Sequence, residues 1–68
     1  MPLDDDLALA EAESLVAELG DRAPLLAAHQ AAASQRSGDA PAATRWARIA
    51  WHAEQILLNR DRGLNAIH

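Results

Sequence analysis

The stretch Gly38–Leu58, GDAPAATRWARIAWHAEQILL, decides the reading of this chain. Asp39 is a strong N-cap, because its carboxylate can accept a bond from an orphan N–H of a first helical turn. Pro41 falls in that turn, where a missing N–H costs little. Trp46, Ile49, Ala53, Ile56 and Leu57 then recur at helical spacing. They form the largest apolar stripe of the chain, so they are expected to be the core surface on which other helices pack. A second strip lies beside the first. At ~100° per residue Trp51 points about 140° away from Trp46, with Ala47 one turn before it and Leu58 two turns after. Trp is a favoured interface residue. Ala47, Trp51 and Leu58, with Arg48 at their edge, are therefore the expected contact surface for a partner. Arg45, Arg48, His52 and Asn59 make a polar stripe next to it, suited to be a rim or to pair with acids elsewhere.

Upstream, Asp4–Leu19 predicts helix 1, with the Asp run capping it and complementing its dipole. Ala8, Leu9, Ala12, Leu15, Val16 and Leu19 share one face, which assigns Leu15 and Leu19 to the core. Gly20 is placed to be the C′ residue. Asp21 is expected to cap helix 2, at 22–37, with Pro24 in its first turn. Leu25, Leu26, His29, Ala32, Ala33 and Arg36 share one side there, so Leu26 is expected in the core and His29 partly buried. Gly38 ends helix 2 as Gly20 ends helix 1. Helix 3 is expected over 40–60, with Gly63 marking its stop and 61–68 a frayed tail. The short junctions predict an all-α, three-helix domain spanning 1–68, with antiparallel neighbours.

Composition agrees with that class. The 68 residues suit one small domain, and alanine supplies half of the apolar residues, with no Phe or Tyr. Alanine favours helix but buries little area, so the core inventory is thin. Domains this small commonly need disulfides, metals or oligomerisation. The absence of Cys removes disulfides and thiolate metal sites and fits a reducing, cytoplasmic setting. The acidic start, Met-Pro-Leu-Asp-Asp-Asp, does not read as a signal peptide, and no apolar run approaches the ~20 residues of a membrane span.

The net charge is −4, which disfavours nucleic acid. It is unevenly spread. Residues 1–21 carry seven acids and no base, whereas 22–68 carry six Arg against three acids. Helix 1 is thus expected to pack against, or be steered toward, the arginine-bearing part.

Residues 19–58 also resemble a family of short bacterial proteins known only as a domain of unknown function. The resemblance rests on Gly20-Asp21-Arg22-Ala23-Pro24, Gly38-Asp39, Arg45-Trp46 and Ile49-Ala50, in that order and spacing. It implies a small helical protein and brings no activity with it. The chain departs from the family in helix 2, where His29 and Gln30 stand at positions expected to be charged.

No catalytic, cofactor or metal set is expected. His29 has no His or carboxylate at i+3 or i+4, and zinc needs three or four converging ligands. His52 is expected to be solvated, and His68 is terminal. Consecutive acids such as Asp4-Asp5-Asp6 point in different directions on a helix. Ser14, Ser34, Ser37 and Thr44 lack a nucleophile elbow, and no phosphate-binding glycine loop is present. The expected function is a non-enzymatic helical protein–protein interaction module that self-associates as a homo-oligomer. The alternative is an acidic inhibitor or antitoxin-like regulator, whose helix 1 occupies a basic groove on a larger protein.

Overall fold

The structure, a computed structural model, describes the backbone of residues 3–66 and the side chains of residues 6–60. It is all-α. Helix α1 (Leu3–Leu19) leads through a single 3-10 turn (Gly20–Arg22) into α2 (Ala23–Arg36), and α3 (Ala40–Ala66) follows.

The α2–α3 junction shows how tightly local chemistry fixes a turn. Gly38 adopts φ +83°, the left-handed conformation that glycine tolerates at C′. The Gly38 N–H donates to the Gln35 carbonyl at 3.1 Å, and the Asp39 N–H to the Ser34 carbonyl at 2.8 Å. These two bonds are the paired closure of a Schellman motif. The Ser37 hydroxyl adds a bond to the Ser34 carbonyl at 3.0 Å. Asp39 then starts the next helix: its Oδ1 accepts from the Ala42 N–H at 3.1 Å. One residue thus closes α2 with its backbone and opens α3 with its side chain.

The first junction resembles the second in sequence but not in geometry. Gly20 is again left-handed, at φ +60°. Asp21, however, does not cap α2. The N-cap is Arg22, which makes no side-chain capping bond, and Asp21 lies inside the 3-10 turn. The cause is one inserted residue. In both junctions Ala-Pro opens the helix, and GDRAP holds an Arg where GDAP has none. Counting back from the proline, the cap position falls on Arg22 and Asp21 is pushed one place outside.

Both shorter helices pack on α3 and touch each other little. Gln35 of α2 shares a groove with Ala40 and Ala43 at the start of α3, and Pro24 lies with Leu57 and Leu58 further along. So α2 runs antiparallel to α3. Leu7, Ala8 and Glu11 of α1 lie beside Pro41, Thr44 and Arg45, and α1 runs in the same direction as α3. The result is a flat body, with Cα extents of 47 × 27 × 16 Å.

The core is made of small residues. Ala8, Ala12 and Val16 of α1, Ala23 and Ala27 of α2, and Ala43, Ile49 and Ala53 of α3 are buried, and Ile49 is the one large side chain fully enclosed among the described residues. Leu15, Trp46, Ile56 and Leu57 are half-buried and pack around this centre. Successive buried positions four apart form ridges that let helices approach closely.

Several expectations are corrected here. Leu19 and Leu26, expected in the core, are 39% and 36% exposed, and Leu9 is exposed too. Leu19 is on the inward side of α1 but is its last residue, where the chain leaves through Gly20. Helix α2 is turned to nearly the opposite side from that expected: it buries Ala23 and Ala27, and Leu25, His29, Ala32, Ala33 and Arg36 are exposed. Short connections at both ends fix its roll, and its alanines permit a closer approach than its leucines would. Helix α3 does not stop at Asn59, Arg60 or Gly63 but continues to Ala66. The helical backbone therefore covers most of the expected tail, and residues 67–68 lie outside the described residues. The capping role expected of Asp4 and Asp5 falls on side chains that also lie outside them.

Two stability predictions follow from this packing. Ile49→Ala should cost about 2–5 kcal/mol, a large share of the ~3–10 kcal/mol available to a chain of this length. Leu19→Ala and Leu26→Ala should each cost about 1 kcal/mol or less, because partly wetted side chains leave no closed cavity. Urea melts followed by circular dichroism would rank them, and the reverse order would refute the assigned core. At the caps, Asp39→Ala should cost ~1 kcal/mol and Asp21→Ala only a few tenths. Equal losses in thermal melts would contradict the inserted-residue account.

Candidate interaction surface

The outward side of α3 carries the chain's exposed tryptophan. Trp51 is 56% exposed and Leu58 50%, while Ala47 and Arg48 beside them are also exposed. Their common side follows from helical geometry. Relative to Trp51, Ala47 lies about 40° round the helix axis, Leu58 about 20°, and Arg48 about 60° to one edge. Trp46, on the other side of the helix, is half-buried against the core. The two tryptophans therefore occupy different environments.

His52 is half-buried rather than solvated. Its ring meets Trp51 edge-on, with centroids 5.1 Å apart and planes at 78°. This is a favoured aromatic geometry. It props the indole on the α3 surface from one side.

A shallow groove of ≈ 440 Å³ runs between α2 and α3 on the same side of the molecule. Alanines form its floor and walls: Ala28, Ala31 and Ala32 from α2, and Ala43, Ala47 and Ala50 from α3, with Trp51 and Glu54 at the lip. Small side chains leave the backbone close to the surface, so a partner helix can approach without steric cost. Sequence reading located the Trp51 strip but missed the groove. Ala28 and Ala32 become its wall only once α2 is rolled with its leucines outward. A signal was present in the four-residue spacing of Ala23, Ala27 and Ala31.

Two further apolar regions are exposed. Leu25 at 63%, with Leu19 and Leu26, lies near the α1–α2 junction, and Leu7 at 64% lines the groove between α1 and α3. That second groove, ≈ 590 Å³, is also lined by Pro41, Thr44, Arg45 and Arg48. Here the charge asymmetry finds a local expression. Arg45 Nη2 donates to Glu11 Oε1 at 3.0 Å, linking the acidic helix to α3. The side chains are 63% and 44% exposed, so solvent screens the pair.

Among the described residues no group of three His, Asp or Glu side chains converges for a metal. No described helix is long and apolar enough to cross a membrane. No family model, curated protein or solved structure matches this chain. Its reading rests on its own surface.

The Glu11–Arg45 pair makes a checkable prediction. A double-mutant cycle with Glu11→Ala and Arg45→Ala should give a coupling of about 0.2–1 kcal/mol. The coupling should shrink as salt shortens the Debye length. A salt-independent coupling above ~2 kcal/mol would mean the pair is far less exposed in solution than in this structure.

Proposed function

We infer that this protein is a non-enzymatic helical interaction module that self-associates through the outer side of α3. The observation that carries the reading is the exposed Trp51–Leu58 strip beside an alanine groove. A large aromatic held in place by His52 on a rigid helix supplies contact area with little entropy to lose. The weakness of the core supports the same reading. The chain exposes 4997 Å², against ~4,200 Å² for a typical folded monomer of its mass. Seven large apolar residues are exposed, and most of the buried positions are alanine. Association would cover what folding leaves open and stabilise the fold by mass action.

The exposed acids Asp6, Glu13 and Glu18 on α1 favour a second reading, a regulator that docks α1 on a basic partner. Glu11 is less available for that role, being tied to Arg45. Binding of the acidic helix to a basic protein would fall with salt. The hydrophobic strip on α3 would respond much less.

Sedimentation or light scattering tests the primary reading. The wild-type chain should associate at tens of micromolar. Trp51→Ala should weaken association by about 2 kcal/mol or more and keep its helical circular dichroism at high concentration. Trp46→Ala should instead cost roughly 3–5 kcal/mol of folding stability. A wild-type chain that stays monomeric at tens of micromolar sinks the proposal.

A further inference from the structure

We propose that the partner on α3 is a second copy of this chain, laid antiparallel, with each large side chain of the outer α3 seam set against an alanine of the other copy. This rests on the self-association proposed above and adds its orientation and register. The derivation starts from spacing. Ala40, Thr44, Ala47, Trp51, Glu54 and Leu58 follow one another at alternating steps of four and three. All six are exposed. At ~100° per residue they stay within about 40° of one line along the outer side of α3, over a rise of about 27 Å. This is the spacing through which two helices pack side by side in coiled coils.

When two copies stack face to face antiparallel, the two-fold axis lies between them, perpendicular to α3 and parallel to the contact face. It reverses height and keeps each flank. One register pairs the whole seam: Trp51 meets Ala47 of the second copy, Leu58 meets Ala40, and Glu54 meets Thr44, each twice. Every large side chain then faces a methyl group, so the seam is complementary in size to itself. The Thr44 hydroxyl can donate to the Glu54 carboxylate. Neither side chain has a hydrogen bond or ion pair among the described residues. A shift of one heptad leaves Leu58 uncovered in one direction and sets the Glu54 carboxylate against Trp51 in the other. A parallel two-fold keeps height and sets each seam residue against itself. Glu54 then faces Glu54, and like charges in contact select against that arrangement. Because the antiparallel axis keeps the flank, α2 of one copy lies over α2 of the other, and the two alanine grooves face each other. That adds area to a single-helix seam, toward the ~800 Å² per partner of a standard interface. The two Arg48 side chains share the opposite, open flank, where salt screens their repulsion.

Exchange of large for small tests the layers. Ala47 is exposed, so a larger ring there does not enter the core. Sedimentation equilibrium should show Ala47→Trp weakening association about tenfold, because it sets indole against indole. An equimolar mixture of Ala47→Trp with Trp51→Ala should associate to within about threefold of wild type, since every indole again faces an alanine. Cysteine pairs test the orientation. The chain has no cysteine, so the introduced thiols are its only ones. Mixing Ala40→Cys with Leu58→Cys should give the mixed disulfide on oxidation. Leu58→Cys alone should remain largely unlinked, because the axis holds its two copies about 27 Å apart, far beyond disulfide reach. Efficient Leu58→Cys self-linking, or association unchanged by Ala47→Trp, would overturn the arrangement. Self-association that Trp51→Ala disrupts would still stand in that case. A monomeric wild type would overturn both.

Discussion

Everything in this fold depends on close approach of two short helices to a long one through alanine. Ala8, Ala12, Ala23, Ala27, Ala43 and Ala53 fill most of the buried positions, and Ile49 alone supplies bulk at the centre. Alanine contacts give little area per residue. They compensate by letting backbones approach and half-buried neighbours close around the seam. Leu15, Trp46, Ile56 and Leu57 do this here. The arrangement commits the helices to one roll about their axes. A leucine turned inward at an alanine position would push the helices apart, and overpacking is itself destabilising. The leucines of α2 stay outside as a consequence of that spacing.

That constraint also separates what was legible in the sequence from what was not. Helix number, the all-α class and the α2–α3 turn followed from local signals: glycine at a left-handed position, a carboxylate at the cap, proline in the first turn. Such signals act within a few residues, and the Gly38–Asp39 hydrogen bonds show them operating. The roll of α2 was not legible. A rule that sends the largest apolar residues inward chose Leu25 and Leu26, and the structure chose Ala23 and Ala27. Helix 1 shows the milder form of the error. Its inward stripe was placed on the right side, and only the flank at Leu9 and the end at Leu19 proved exposed. The α3 terminus failed for another reason. Gly63 was read as a stop, but a glycine inside a long helix costs only about 1 kcal/mol, and the helix runs on to Ala66.

For the candidate surface the balance is similar. The two tryptophans could be assigned to different sides because α3 is continuous and its angular arithmetic holds from Ala47 to Leu58. The groove beside Trp51 could not be found in advance, since it needs α2 in its observed roll. The edge contact of His52 with Trp51 was likewise missed. Neighbours in sequence usually point apart on a helix, and two adjacent large rings can still touch at their rims.

In the self-association proposed above, folding and association are linked by the distribution of apolar area. The seven exposed large apolar residues of the described chain include leucines on all three helices and one tryptophan. Scattered singly they would need no explanation. Trp51 and Leu58 are different, because they sit on one rigid helix two turns apart and border a groove of small residues. A surface made only of alanine, leucine and indole would accept many partners and many registers. Arg48 and Glu54 stand at equal and opposite offsets from Trp51. On the self-association proposed above, the hydrophobic area of α3 supplies the binding, and these exposed charges border it on either flank.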